Sequence, residues 1–112
     1  MQEKNLKFCE LLLKYIEISK ITKVDFYTKV GIKKPYFYDI IGGKVNPPPR
    51  ERQIKMAQVL ALSESEAILL FDSAAKERNE VPADIMNIIE STEIKDELRR
   101  SVDYKALLEN QT

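Results

Sequence analysis

From Leu6 to Leu108 the apolar residues recur at three- and four-residue steps, and no strand-length stretch alternates with period two. Such spacing restricts the chain to packed helices, an all-α fold. A first helix over about residues 5–19 places Leu6, Cys9, Leu12, Leu13 and Ile16 in one inward stripe. A second opens at Thr22, whose hydroxyl can cap a free amide and whose third follower, Asp25, favours the positive helix end, and buries Phe26 and Val30. Gly31 ends it, because a helix C-cap needs the left-handed backbone that glycine adopts. After Ile32 as a buried hinge, a third helix starts at Lys34-Pro35, with proline in the first turn where its missing amide costs nothing, and turns Phe37, Ile40 and Ile41 inward.

Gly42-Gly43 closes the third helix, and Lys44-Val45-Asn46-Pro47-Pro48-Pro49 forms an extended loop. The prolines serve there as a rigid spacer, with a polyproline partner motif as the alternative. A fourth helix over about 50–60 buries Ile54, Ala57 and Leu60. The fifth begins at the capping box Ser63…Glu66, carries Ala67, Leu70, Phe71 and Ala74 inward, and stops at Asn79. Pro82 opens a sixth helix, Ser91-Thr92 interrupts it, and one last helical stretch follows.

Composition narrows the chemistry. In 112 residues there is no histidine and one cysteine, so neither a structural zinc site nor an intrachain disulfide framework is expected, and no cofactor is implied. Cys9, in the first inward stripe, has no histidine to activate it and reads as small apolar filler. Without histidine or a glycine-rich phosphate loop, catalysis is not the expected role. Glu64-Ser65-Glu66 and Asp96-Glu97 bring carboxylates close in sequence, but adjacent helical positions point apart. No apolar run approaches the roughly 20 residues of a membrane span, and the first residues do not read as a signal peptide, so the expectation is a cytoplasmic protein with no membrane partner.

Net charge is zero, yet its distribution is uneven. Residues 1–60 hold twelve Lys/Arg against six Asp/Glu, and residues 61–112 reverse those numbers. Between 20 and 55 nine basic side chains face three acidic ones. A basic front and an acidic back suit a polyanion-binding protein. Two short helices meeting at a glycine turn, with Phe26, Val30, Ile32, Phe37 and Ile40 buried between them, have the layout of a helix-turn-helix whose second helix can enter the DNA major groove.

Over residues 5–62 the chain resembles the Cro/lambda-repressor-like (XRE) family of bacterial and phage regulators. Ile21-Thr22 stands where that family has Leu-Ser, Phe26 at its buried leucine, and Val30-Gly31-Ile32 at its Leu-Gly-Val. Gly43-Lys44 and Asn46-Pro47 match its Gly-Lys and Asn-Pro, and Leu62-Ser63 its Val-Ser. Departures occur at Tyr27 for a small alanine, Lys23 for a phosphate-clamping glutamine, Lys33 for a serine cap, Pro35 for a base-reaching residue and Ile41 for a glutamate. The resemblance implies a five-helix lambda-repressor-like DNA-binding domain over 1–80 and a helical extension over 81–112.

It also implies a sequence-specific transcriptional regulator, a repressor of phage or mobile-element type, whose partner is double-stranded DNA. By position, Lys33, Lys34, Tyr36, Tyr38 and Asp39 are the candidates for base contact, Asp39 as an acceptor for cytosine. Thr22, Lys23, Lys44, Asn46 and Arg50 are the candidates for phosphate contact. The extension carries Ile85, Ile88, Ile89, Ile94, Leu98, Val102, Leu107 and Leu108, more apolar residues than one helix needs to pack on a five-helix core, and a homodimer interface is expected there. The alternative is packing within its own chain. About 50 residues after the motif leave no room for a ligand-sensing or self-cleaving domain, so regulation is expected from protein partners, DNA competition or abundance. A second reading belongs to another class: a protein-interaction module, an antitoxin, antirepressor or phage-encoded inhibitor, in which Pro35, Tyr36, Phe37, Tyr38 and the acidic tail meet protein.

Overall fold

The computed structural model describes residues 6–109, without the side chains of Thr92, Tyr104, Leu107 and Glu109. These residues form helices α1 (Phe8–Ser19), α2 (Lys23–Val30), α3 (Lys34–Ile41), α4 (Arg50–Val59), α5 (Glu64–Arg78), α6 (Ala83–Ile89), α7 (Thr92–Ser101) and α8 (Tyr104–Glu109). No strand occurs among the described residues, so the chain is all-α. No described helix is long and apolar enough to cross a membrane.

α1 is the central element, packing against α3 and α5, while α2 lies on α4. The core holds Phe8, Leu11, Leu12, Tyr15 and Ile16 of α1, Phe26 and Val30 of α2, Ile32, Phe37 and Ile40, with Met56, Leu60, Leu70 and Ala74 closing it from α4 and α5. The inward face of α1 is therefore rotated from the expected stripe. Phe8, Leu11 and Tyr15 take the buried positions, and Cys9 and Leu13 are only half-buried. The larger side chains remove more apolar surface from water, and Cys9 is left against the outer turn beside Gly43. α4 differs likewise: Gln53 and Met56 are buried, whereas Ile54 and Ala57 are half-buried. Gln53 occupies a core position because its amide donates to the Pro48 carbonyl at 2.8 Å.

Helix starts are capped from near and far. Ser63 and Glu66 form the expected reciprocal box, Ser63 N donating to Glu66 Oε1 at 2.9 Å and Glu66 N to Ser63 Oγ at 3.3 Å. At α1 the Phe8 amide donates to Glu77 of α5 at 2.8 Å, so a carboxylate distant in sequence neutralises the positive end of that helix. α1 and α5 end at Lys20 and Asn79, and the turn after α4 includes Ala61; all three have φ between 52° and 60°.

Beyond residue 80, α6 packs on α4 and α5, with Ala83 buried at 3% exposure, and α7 packs on α6. The single last stretch expected from sequence is divided at Val102-Asp103. Val102 is extended and Asp103 Oδ1 accepts from the Ala106 amide at 3.1 Å, which starts α8 as a separate helix. The radius of gyration is 16.6 Å over a body of 52 × 30 × 29 Å. A rounded domain of this length has about 13 Å, so the molecule is elongated.

Candidate functional site

The α2–α3 pair is built by local rules. Thr22 caps α2 by accepting from the Asp25 amide at 3.1 Å and keeps its hydroxyl proton to donate elsewhere. Gly31, at φ 89°, donates to the carbonyls of Tyr27 and Thr28, and Ile32 N also reaches Tyr27 O. Residues 31–33 then lead into α3. The two helices are joined by an aromatic cluster around the fully buried Phe37, whose ring centroid lies 5.8 Å from Phe26, 5.4 Å from Tyr27 and 5.2 Å from Tyr38. Tyr27 is therefore half-buried beside Phe37 and helps fix α3.

With Phe37 and Ile40 inward, the outer surface of α3 is defined. Lys33 and Lys34 are exposed at its start, and Tyr38, one turn beyond Lys34, is 43% exposed with its ring edge-on to Phe37. Asp39 is half-buried. Tyr36 is half-buried too, packed against the core, and lies within electrostatic range of the Arg78 guanidinium on α5. Thr22, Lys23, Lys44 and Asn46 are exposed, the first two at the start of α2 and the others in the loop after α3.

That loop has a fixed course. Arg78 Nη1 donates to the Pro47 carbonyl at 2.8 Å and Gln53 Nε2 to the Pro48 carbonyl at 2.8 Å, and both prolines are buried. Arg78 itself is held by Glu80 through two bonds of 2.9 Å, which keep the Glu80 carboxyl below the ordinary carboxylate range. Arg52 Nη1 donates at 2.9 Å to the Val30 carbonyl at the end of α2. Arg50 Nη2 donates to Glu90 Oε2 at 2.9 Å, with Glu51 at 3.8 Å. That bond, followed by the general attraction of Arg50 and Lys95, holds the Glu90 carboxyl low and therefore ionised at neutral pH.

The two arginines counted in the basic front are thus both engaged by their own chain, and exposed lysines carry the positive charge around α3. Arg52, Gln53, Arg78 and Glu77 have structural roles that sequence reasoning missed. Their partners lie on other elements, and only the polar Gln53 in phase with Met56 and Leu60 gave a local sign of them.

In the tail, Ile85, Ile88, Leu98, Val102 and Leu108 are between 40% and 64% exposed. Ile89 and Ile94 are half-buried, and the side chain of Leu107 lies outside the described residues. A cleft lined by Leu6, Leu69, Ser73 and Lys76, among others, opens between the approach to α1 and α5, with no lining residue from α2, α3 or the proline loop. Among the described residues no group of three His, Cys, Asp or Glu is placed to hold a metal ion. No family model, curated protein or solved structure matches the chain.

Proposed function

We propose that the chain is a sequence-specific DNA-binding regulator, a repressor of phage or mobile-element type. In this reading residues 1–80 are a five-helix lambda-repressor-like helix-turn-helix domain with α3 as recognition helix. The observation that carries it is the two-sided character of α3. Phe37 and Ile40 anchor one side at 0% and 1% exposure, while Lys33, Lys34 and Tyr38 stand out from the other. Lysine reads guanine O6 and N7, and a tyrosine ring packs on a thymine methyl. Lys23, Lys44, Asn46 and the Thr22 hydroxyl flank the helix as phosphate donors. Asp39 and Tyr36, both half-buried, have less reach toward bases than Lys34 and Tyr38.

Residues 81–112 serve in this proposal as a dimerisation extension. The five exposed apolar side chains of α6–α8 are its contact surface, and a second copy places two recognition helices about 34 Å apart on an inverted repeat. A clean monomer in sedimentation at micromolar concentration would remove the dimer from the proposal.

The same apolar tail favours the second reading, a protein-interaction module. In that case Phe37 takes no part in the contact, since it is fully buried. One experiment separates the two: selection of bound duplexes from a randomised DNA pool at physiological salt, with the Lys33→Ala/Lys34→Ala double variant alongside. An enriched inverted repeat that is lost in the variant supports the regulator. Absence of enrichment from folded protein overturns it in favour of the protein partner.

A further inference from the structure

Arg50 begins α4 immediately after the proline loop, at the edge of the proposed DNA surface, and Glu90 ends α6. Their 2.9 Å bond ties the tail to that edge. The Glu90 oxygen on Arg50 Nη2 takes a donor that a phosphate oxygen would take, and its charge offsets that of the guanidinium. The pair stands half in water, with the Arg50 side chain 24% and the Glu90 side chain 51% exposed. Exposed pairs of this kind contribute little to folding, so stability gives a weak reason for its presence.

We propose that Glu90 is a built-in competitor for a DNA phosphate at Arg50, so that the placement of α6 sets how many phosphates the protein neutralises. This rests on the DNA-binding reading and adds a regulatory element to it. With Glu90 in place, Arg50 Nη2 is taken and the carboxylate offsets the guanidinium charge, so binding relies mainly on lysines. With Glu90 withdrawn, by substitution or by a rearrangement of the tail, one further cation faces the DNA backbone. Glu51, whose carboxylate stands 3.8 Å from the same nitrogen, supplies the control. It carries the same charge on a neighbouring residue, is 77% exposed, and does not make the short bond.

The test uses the full chain and a random-sequence duplex, with affinity measured across a series of sodium chloride concentrations. The proteins compared are wild type, Glu90→Gln, Glu51→Gln, Arg50→Ala and Arg50→Ala/Glu90→Gln, each checked for folding by helical circular dichroism. Each phosphate neutralised steepens the plot of log affinity against log salt by about 0.9. Glu90→Gln is expected to steepen the slope by that amount and to raise low-salt affinity several-fold. Arg50→Ala/Glu90→Gln is expected to return to the wild-type slope, and Glu51→Gln to leave the slope unchanged. An unchanged slope in Glu90→Gln overturns the proposal and leaves DNA binding intact. An equal gain in Glu90→Gln and Glu51→Gln that persists without Arg50 also overturns it, since net charge alone then accounts for the effect. If folded wild type and Glu90→Gln both fail to bind any duplex, the DNA-binding reading fails and this inference falls with it.

Discussion

Replacing Gly31 with alanine tests how the turn into α3 is held. Gly31 has φ 89°, and a Cβ placed there would meet Arg52 Nη1 at 2.9 Å. The left-handed backbone costs a residue with a Cβ about 1–2 kcal/mol. The collision itself is relieved by moving the end of a flexible side chain, but that movement breaks the 2.9 Å bond from Arg52 to the Val30 carbonyl. A charged donor in such a bond contributes roughly 1.5–3 kcal/mol when sequestered. Arg52 is exposed, so water compensates for much of the loss and about 1 kcal/mol remains. Gly31→Ala should therefore cost about 2–3 kcal/mol in the wild-type background and about 1–2 kcal/mol beside Arg52→Ala. The coupling of about 1 kcal/mol exceeds the roughly 0.3–0.5 kcal/mol within which independent substitutions add. Urea unfolding of the four proteins of the cycle, followed by helical circular dichroism, measures it. Equal costs of Gly31→Ala with and without Arg52 would refute the claim that this arginine holds the turn.

Three further outcomes are expected. Phe37→Ala should destabilise by about 3–5 kcal/mol, because it empties the centre of the Phe26–Tyr27–Tyr38 cluster, whereas Phe37→Leu keeps most of the volume and should cost markedly less in the same urea assay. Glu77→Gln should cost about 1 kcal/mol by weakening the cap on the Phe8 amide, with the earliest loss of hydrogen-exchange protection in the first turn of α1. Glu66, held low first by the Ser63 amide, then by the Ser63 hydroxyl and by Lys14, adds stability that is present above the ordinary carboxylate pKa and is lost as pH falls through its own lowered value. Glu66→Gln should therefore flatten the acid side of the stability profile in thermal melts between neutral pH and pH 3, and a profile parallel to wild type would exclude that role.

How much of this was legible depended on whether the determinant was local. Thr22, Gly31, Pro35 and the Ser63…Glu66 box act within a few residues, and α2, α3 and the start of α5 stand where their signals put them. α1 was harder to orient. Leu6, Phe8, Cys9, Leu11, Leu12, Leu13, Tyr15, Ile16 and Ile18 cover most of its circumference, so periodicity could not choose a face, and the bulk of Phe8 and Tyr15 decided it. Periodicity alone favours Ile54 over Gln53 as the inward residue of α4, because the need for a donor at the Pro48 carbonyl arises only once the proline loop has folded against α4. The candidate site shows the same division. The lysines at the start of α3 are visible as charges on a capped helix, whereas the position of Arg50 beside the motif, which makes it a candidate for phosphate, carries no information on Glu90, forty residues away.

The left-handed residues in the turns between helices have a bearing on the protein's evolutionary latitude. Lys20, Ala61 and Asn79 hold this conformation with a side chain attached, which glycine would hold at lower cost. Glycine occupies Gly31, where the Arg52 guanidinium stands in the way of a Cβ, and Gly43, where one would rest in ordinary contact with Cys9 Sγ at 3.8 Å. At Gly31 a neighbour as well as the backbone excludes alternatives; at the other three turns the backbone preference has been left unmet. The chain thus sits short of the stability its own architecture permits, with reserve at those three turns. Substitutions drawn from that reserve could offset the cost of new side chains on the exposed face of α3, so that face is free to change while the scaffold beneath it stays folded.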